Sequence, residues 1–176
     1  MCINKEHQIL ALENRLSKGE NIIYSNYKDN CFTIATSVER LFSDGRIDDY
    51  EYKLYLLPNH INEFFEAGSM RFRFMYEYCY INNTYKFLNK IKLEDIIIDK
   101  DYRKNGYATI LLNLLTEYTR NHSNSILEIG GILSFVDKET PEKAEELRSF
   151  YKKRGFTVEE NERYNGIDSI SKLVAL

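Results

Sequence analysis

The spacing of apolar side chains changes period along the chain, and those changes divide it into elements. Between residues 5 and 18, Ile9, Leu12 and Leu16 recur at helical spacing, and Gly19 fits a C-cap. Two strands are expected next, Asn21–Tyr27 and Cys31–Val38, around the polar turn Lys28-Asp29-Asn30. Asp44-Gly45 marks a further turn, and Asp49–Leu57 carries β-type aromatic and aliphatic residues. Pro58 suits the first turn of a helix, so a short helix is expected to about Ala67, with Gly68 as its stop.

From Met70 the period drops to two. Phe72, Phe74, Tyr76, Tyr78 and Tyr80 alternate through Met70–Ile81 and predict a long strand. Asn82-Asn83 suits a hairpin turn, because Asn tolerates left-handed backbone. Thr84–Leu88 and Lys92–Ile98 follow, as one long bent strand or two short ones. Helical spacing returns in Gly106–Arg120 with Ala108, Leu111, Leu112, Leu115 and Tyr118. Ser125–Phe135 reads as a strand interrupted at Gly130-Gly131. Thr140 and Pro141 form an N-cap and first-turn pair for a helix carrying Ala144, Leu147, Phe150 and Tyr151, ended by Gly155. Phe156–Glu159 and Ile167–Ala175 are expected as an antiparallel hairpin around Tyr164-Asn165-Gly166. No internal repeat and no Pro-rich linker interrupts this order, so one domain is expected over residues 1–176.

Composition narrows the class. Hydrophobic residues make up 43% and charged residues 29%, a globular balance in a chain long enough to hold a core without metal or disulfide. Twenty-four Lys and Arg stand against 27 Asp and Glu, a net charge of −3, which disfavours nucleic acid as the main partner. No apolar run is long enough for a membrane span, and Met1–Lys18 has no apolar secretory core, so a cytoplasmic location without membrane contact is expected. Cys2, Cys31 and Cys79 lack a CxxC spacing, and His7, His60 and His122 lack metal-ligand spacing, so no metal is expected.

The chemistry concentrates where the Ile-rich strand runs into a helix, Ile96-Ile97-Ile98-Asp99-Lys100-Asp101-Tyr102-Arg103-Lys104-Asn105-Gly106-Tyr107-Ala108. A helix start leaves backbone N–H groups unpaired and carries partial positive charge, so anions bind there. Gly106 lets backbone approach a ligand, Ala108 keeps that face small, and Arg103 and Lys104 add charge for phosphate oxygens. The loop has neither the Gly-Lys-Ser/Thr end of a P-loop nor the three glycines of a dinucleotide fingerprint. On these grounds it is either a phosphate site or a plain strand–helix junction with a solvated basic turn.

Arg103-x-x-Gly106-x-Ala108 after a strand is similar to the acyl-CoA signature Arg/Gln-x-x-Gly-x-Gly/Ala of the GNAT N-acetyltransferases. Phe150-Tyr151-x-x-x-Gly155-Phe156 resembles the stretch that ends that family's last core helix. The likeness covers residues 70–176 well and residues 1–69 only in outline. It implies an α/β (α+β) acyl-CoA N-acyltransferase fold: a mixed, mainly antiparallel sheet with splayed central strands and helices on both faces. It implies acetyl-CoA as co-substrate, with pyrophosphate on Arg103, Lys104, Asn105, Gly106, Tyr107, Ala108 and Thr109. Backbone at Ile96 and Ile98 would meet pantetheine and thioester, and an N–H there could hold the oxyanion. Tyr151 would protonate the leaving thiolate.

For the base, relatives that use a glutamate place it where this chain has Lys92. Glu94 lies two residues on, and strand alternation sends Asp95 to the opposite face. A further departure is Ala144, seven residues before Tyr151, where many relatives carry Asn; Thr140 or Ser134 are the nearby substitutes.

The expected reaction is acetyl transfer to a primary amine, small molecule or peptide, by direct attack in a ternary complex. Acids at Asp48, Asp49, Glu51, Glu63, Glu66 and Glu77 among aromatics suit a cationic acceptor. The basic run Lys152-Lys153-Arg154 is expected to be solvated at a helix end. Two rivals are a toxin-like acetyltransferase of aminoacyl-tRNA, against which those acids argue, and a non-catalytic CoA-binding module. The pattern neither requires nor forbids a homodimer.

Overall fold

The computed structural model describes residues 10, 12–14, 16, 19–28, 31–41, 47–58, 64–81, 84–121, 126–133, 140–159 and 168–174. Among the described residues, the strands and α-helices bounded at both ends run in the order β1 (Glu20–Lys28), β2 (Cys31–Leu41), β3 (Ile47–Pro58), β4 (Phe65–Ile81), β5 (Thr84–Ile98), α1 (Tyr107–Asn121), β6 (Ile126–Ile132), α2 (Pro141–Lys152), β7 (Thr157–Glu159) and β8 (Ser169–Leu173). Hydrogen bonding orders the strands β1-β2-β3-β4-β5-β6-β8-β7. β5 and β6 are parallel, whereas β1/β2, β2/β3, β6/β8 and β7/β8 are antiparallel. The sheet is therefore mixed, as expected. No described helix is long and apolar enough to cross a membrane. Two compact units are present: one from Met1–Phe72 with Asp95–Leu115, the other from Arg73–Glu94 with Thr116–Leu176.

In the first unit, β2 is flanked by β1 and β3. Its register runs from Glu20↔Val38 to Lys28↔Cys31 on one side and from Cys31↔Pro58 to Leu41↔Ile47 on the other. Ile34 and Leu57 are buried with Leu12, and Leu16, Ile22 and Phe64 pack on them. Ala35 and Leu54, paired across β2 and β3, are also buried. Phe72 is buried between Tyr50, stacked at 5.5 Å, and Tyr52, edge-on at 4.9 Å. Leu111, Leu112 and Leu115 of α1 complete the apolar set expected from its spacing. Two carboxylates, Glu20 and Glu51, are buried here, and Glu20 accepts hydrogen bonds from the hydroxyls of Thr36 and Tyr55.

The short helix expected at Pro58–Ala67 is not borne out at either end. β3 continues to Pro58, and Phe65–Ala67 already belong to β4; residues 59–63 lie outside the described ones. Gly68 is no helix stop. A Cβ there would lie 2.3 Å from the carbonyl oxygen of Ile97, so glycine allows two strands to approach closely. Thr84–Ile98 is one strand, which settles the choice left open by the sequence. Of the helix expected over residues 5–18, only Leu10, Leu12 and Glu13 are described as helical. The expected turns at residues 82–83 and 164–166 also lie outside the described residues.

In the second unit the β5/β6 ladder runs from Asn89↔Ile126 to Leu93↔Gly131 and stops there, while β5 continues to Ile98. Gly131 serves that ladder, because a Cβ would lie 2.8 Å from the Leu93 carbonyl oxygen. β7 and β8 pair as the expected antiparallel hairpin, and β8 pairs with β6 as well. Helix α2 starts as its sequence dictates. The Thr140 hydroxyl accepts from the Lys143 N–H at 3.3 Å, and Pro141 follows where a missing N–H costs nothing. Gly155, at φ +79°, closes the helix with its N–H donating to the Lys152 carbonyl. Ala144 and Tyr151 are the buried residues of α2.

Candidate acyl-CoA site

The strand–turn–helix segment is built almost wholly from local hydrogen bonds. The Asp99 N–H donates to the Ala67 carbonyl at 3.0 Å, and the Asp99 carboxylate accepts from the Asp101 N–H at 3.3 Å, capping a 3-10 turn over Lys100–Tyr102. Arg103 Nε donates to the Ile98 carbonyl at 3.1 Å, and Asn105 Nδ2 donates to the Tyr102 carbonyl at 3.3 Å. Lys104 at φ +66° and Gly106 at φ +83° then turn the chain into α1. The Gly106 carbonyl accepts from the N–H groups of Thr109 (2.9 Å) and Ile110 (3.1 Å), so Gly106 begins the hydrogen-bonded helix.

The N–H groups of Tyr107 and Ala108 have no carbonyl partner among the described residues, as expected at a helix start. A Cβ on Gly106 would meet nothing within 4 Å. Arg103, Lys104, Asn105 and Gly106 are exposed, and Tyr107, Ala108 and Thr109 are half-buried. The Arg103 guanidinium is turned by its Nε to the strand end, and its Nη groups show no partner among the described residues. Burial pushes the Tyr107 phenol above its ordinary pKa, with smaller contributions from Cys31 and Tyr102. The residues expected to hold pyrophosphate thus form one exposed, donor-rich helix start, next to the strand end that carries Ile96 and Ile98, both half-buried.

Glu94 is not a solitary carboxylate. Its Oε1 lies 2.7 Å from Arg73 Nη2 and 3.1 Å from Lys92 Nζ. Asp95 lies 3.8 Å from Arg71. Strict alternation would send the two acids to opposite faces, yet they meet arginines two residues apart on β4. Of the acids expected beside the acceptor, Glu51 is buried and Glu66 exposed; the side chains of the others lie outside the described residues.

Tyr151 is buried, and its ring is edge-on to Phe150 at 5.1 Å and to Phe156 at 5.5 Å. Its carbonyl accepts the N–H groups of Arg154 (2.9 Å) and Phe156 (3.2 Å), which folds the chain back across the helix end. The basic run after it is only partly solvated. Lys152 and Lys153 are exposed, but the Arg154 guanidinium lies 3.7 Å over the Phe150 ring and donates to the Phe150 carbonyl at 2.6 Å. Lys172 Nζ donates to the Arg154 carbonyl at 2.9 Å. Burial lowers the pKa of both cations, with the Arg120 charge adding to the effect on Lys172.

Sequence reasoning missed Asp168, which is buried and takes Arg148 Nε at 2.8 Å and Nη2 at 3.5 Å. A lone acid at a strand start carries no periodic signal.

A family model described as an acetyltransferase (GNAT) domain matches residues 66–158, more than half of the chain. The chain belongs to this family. The matched segment contains the helix start at Gly106 and the Tyr151 helix. No curated protein matches the chain. Among solved structures, a GNAT acetyltransferase of Desulfovibrio desulfuricans is 17% identical over 71% of this chain and 70% of its own, with a TM-score of 0.45. The PaiA N-acetyltransferase of Thermoplasma acidophilum, solved with coenzyme A, is 17% identical over 74% and 64%, with a TM-score of 0.47. A KacTA–DNA complex is 12% identical over 72% and 69%, with a TM-score of 0.49. Likenesses this loose carry nothing about substrate.

Proposed function

We propose that this GNAT chain transfers an acetyl group from acetyl-CoA to a primary amine, on a small molecule or peptide, by direct attack in a ternary complex. The observation that carries the reading is the helix start at Gly106. Tyr107 and Ala108 amides without a carbonyl partner among the described residues, open space at the glycine, and the Arg103 and Lys104 charges together support a fit for pyrophosphate. Arg103 to Thr109 would hold that group, and backbone at Ile96 and Ile98 would border the thioester end. An N–H near Ile96 would stabilise the developing oxyanion.

Tyr151 would act as general acid toward the departing thiolate. Ordinary pKa values of about 10 for a phenol and about 8.5 for a thiol do not forbid the transfer. Glu94 would be the base, directly or through water. Arg73 and Lys92 both hold Oε1, and no cation meets Oε2 among the described residues, so Oε2 would take the proton. Glu94→Gln is expected to lower kcat most at neutral pH, where the acceptor amine is mainly protonated.

The deciding experiment is thiol release from acetyl-CoA against polyamines, aminoglycosides, amino acids and peptides. Acceptor-dependent release supports the reading. Acetyl-CoA binding with no release for any acceptor favours a non-catalytic binding module.

A further inference from the structure

We infer that Asp168 and Arg148 form a positioning clamp that holds Tyr151 in register for proton transfer. The inference rests on the acid role of Tyr151 proposed above. Asp168 has 1% relative exposure, and both ends of the residue are engaged. Its carbonyl accepts the Leu133 N–H at 2.9 Å, extending the β6/β8 ladder one step past Ile132↔Ser169. Its carboxylate takes Arg148 in a two-pronged contact, Nε at 2.8 Å and Nη2 at 3.5 Å. One residue therefore joins the end of β6 to helix α2. That end lies two residues beyond Gly131, where the β5/β6 ladder stops.

Arg148 precedes Tyr151 by three residues, so the two side chains leave α2 on neighbouring sides, one turn apart. The planar guanidinium fixes direction as well as distance. Locking Arg148 therefore sets both the rotation and the height of the turn that carries the phenol. Phe150 and Phe156 also confine the Tyr151 ring edge-on, but aromatic edges allow sliding where a two-pronged ion pair does not. Glu145 touches Arg148 Nη1 at 3.7 Å from an exposed position and adds little. A buried ion pair is a weak source of net stability compared with apolar packing, and its best-attested use is fixing one geometry.

The test is a double-mutant cycle on the full chain. Hydroxylamine serves as acceptor, because it is mostly uncharged at neutral pH and attacks without first losing a proton; the proton it loses after attack can pass to water. Thiol release gives kcat and KM; melting temperature and acetyl-CoA affinity are measured on every variant. Asp168→Asn is expected to lower kcat about tenfold, to leave KM for acetyl-CoA within about twofold, and to cause no further loss in a Tyr151→Phe background. Arg148→Lys keeps the charges but not the fork; it is the variant least apt to unfold and is expected to show the same non-additive loss. A kcat loss that multiplies in full with that of Tyr151→Phe, or clamp variants with parental kcat, overturns the clamp and leaves Tyr151 in place. Parental kcat in Tyr151→Phe, or no turnover by the parent chain with hydroxylamine or with any amine of the acceptor panel, overturns the acid role and the clamp with it.

Discussion

Under the proposed function, Tyr151 and Gly106 separate chemistry from binding at the scale of single residues. Removing the Tyr151 hydroxyl leaves the ring between Phe150 and Phe156, so packing is nearly kept. Tyr151→Phe is therefore expected to lower kcat by about 100-fold, the low end for general acid catalysis, with acetyl-CoA affinity little changed in a titration. Gly106→Val acts the other way. A Cβ there would meet nothing within 4 Å, but φ of +83° is costly for a β-branched residue, by about 1–3 kcal/mol. The helix start is expected to shift, and acetyl-CoA affinity to fall at least about tenfold.

Tyr55 gives a pH dependence at the same scale. Burial, and then the Glu20 carboxylate that accepts its hydroxyl, raise its pKa in the fold. A raised folded pKa means that the native state holds the proton more tightly than the unfolded chain. Its stabilising share is thus complete below about pH 10 and is lost as pH rises beyond that. Denaturant titrations from neutral to strongly alkaline pH are expected to show a shallower alkaline loss in Tyr55→Phe than in the parent.

At the scale of elements, the ends of α2 and the passage of β4 past β5 carry most of the sequence-specific information. Thr140 caps α2 through its hydroxyl, so Thr140→Ala is expected to cost about 1 kcal/mol and lower the melting temperature by about 2–4 °C in calorimetry. Gly68→Val places a side chain into the Ile97 carbonyl, and backbone must move to admit it. A loss of roughly 1–3 kcal/mol is expected, since overpacking is relieved only by such shifts. Because Ile97 lies between Ile96 and Ile98, the same variant is expected to weaken acetyl-CoA binding. Glycine thus has two meanings here. Gly155 ends a helix by its left-handed backbone, whereas Gly68 serves contact between strands. Sequence pattern identified the first and misread the second.

For the whole molecule, a ternary mechanism predicts intersecting initial-velocity lines when acetyl-CoA and amine are varied. It also predicts no acetylated protein after incubation with acetyl-CoA alone, as read by mass spectrometry; parallel lines with a mass increase would mean an acyl-enzyme. The sequence by itself determined the order of the main elements, the place of the helix start at Gly106 and the caps of α2. Each depends on neighbours within a few residues, where spacing, glycine and capping groups act directly. Only tertiary structure decided that Gly68 lies against Ile97, that Glu94 shares its oxygen between Arg73 and Lys92, and that Arg154 stacks on Phe150. It alone paired Asp168 with Arg148. These contacts join residues through strand pairing or across a helix end, and a buried charge such as Asp168 is defined by its partner and not by any period in its own segment.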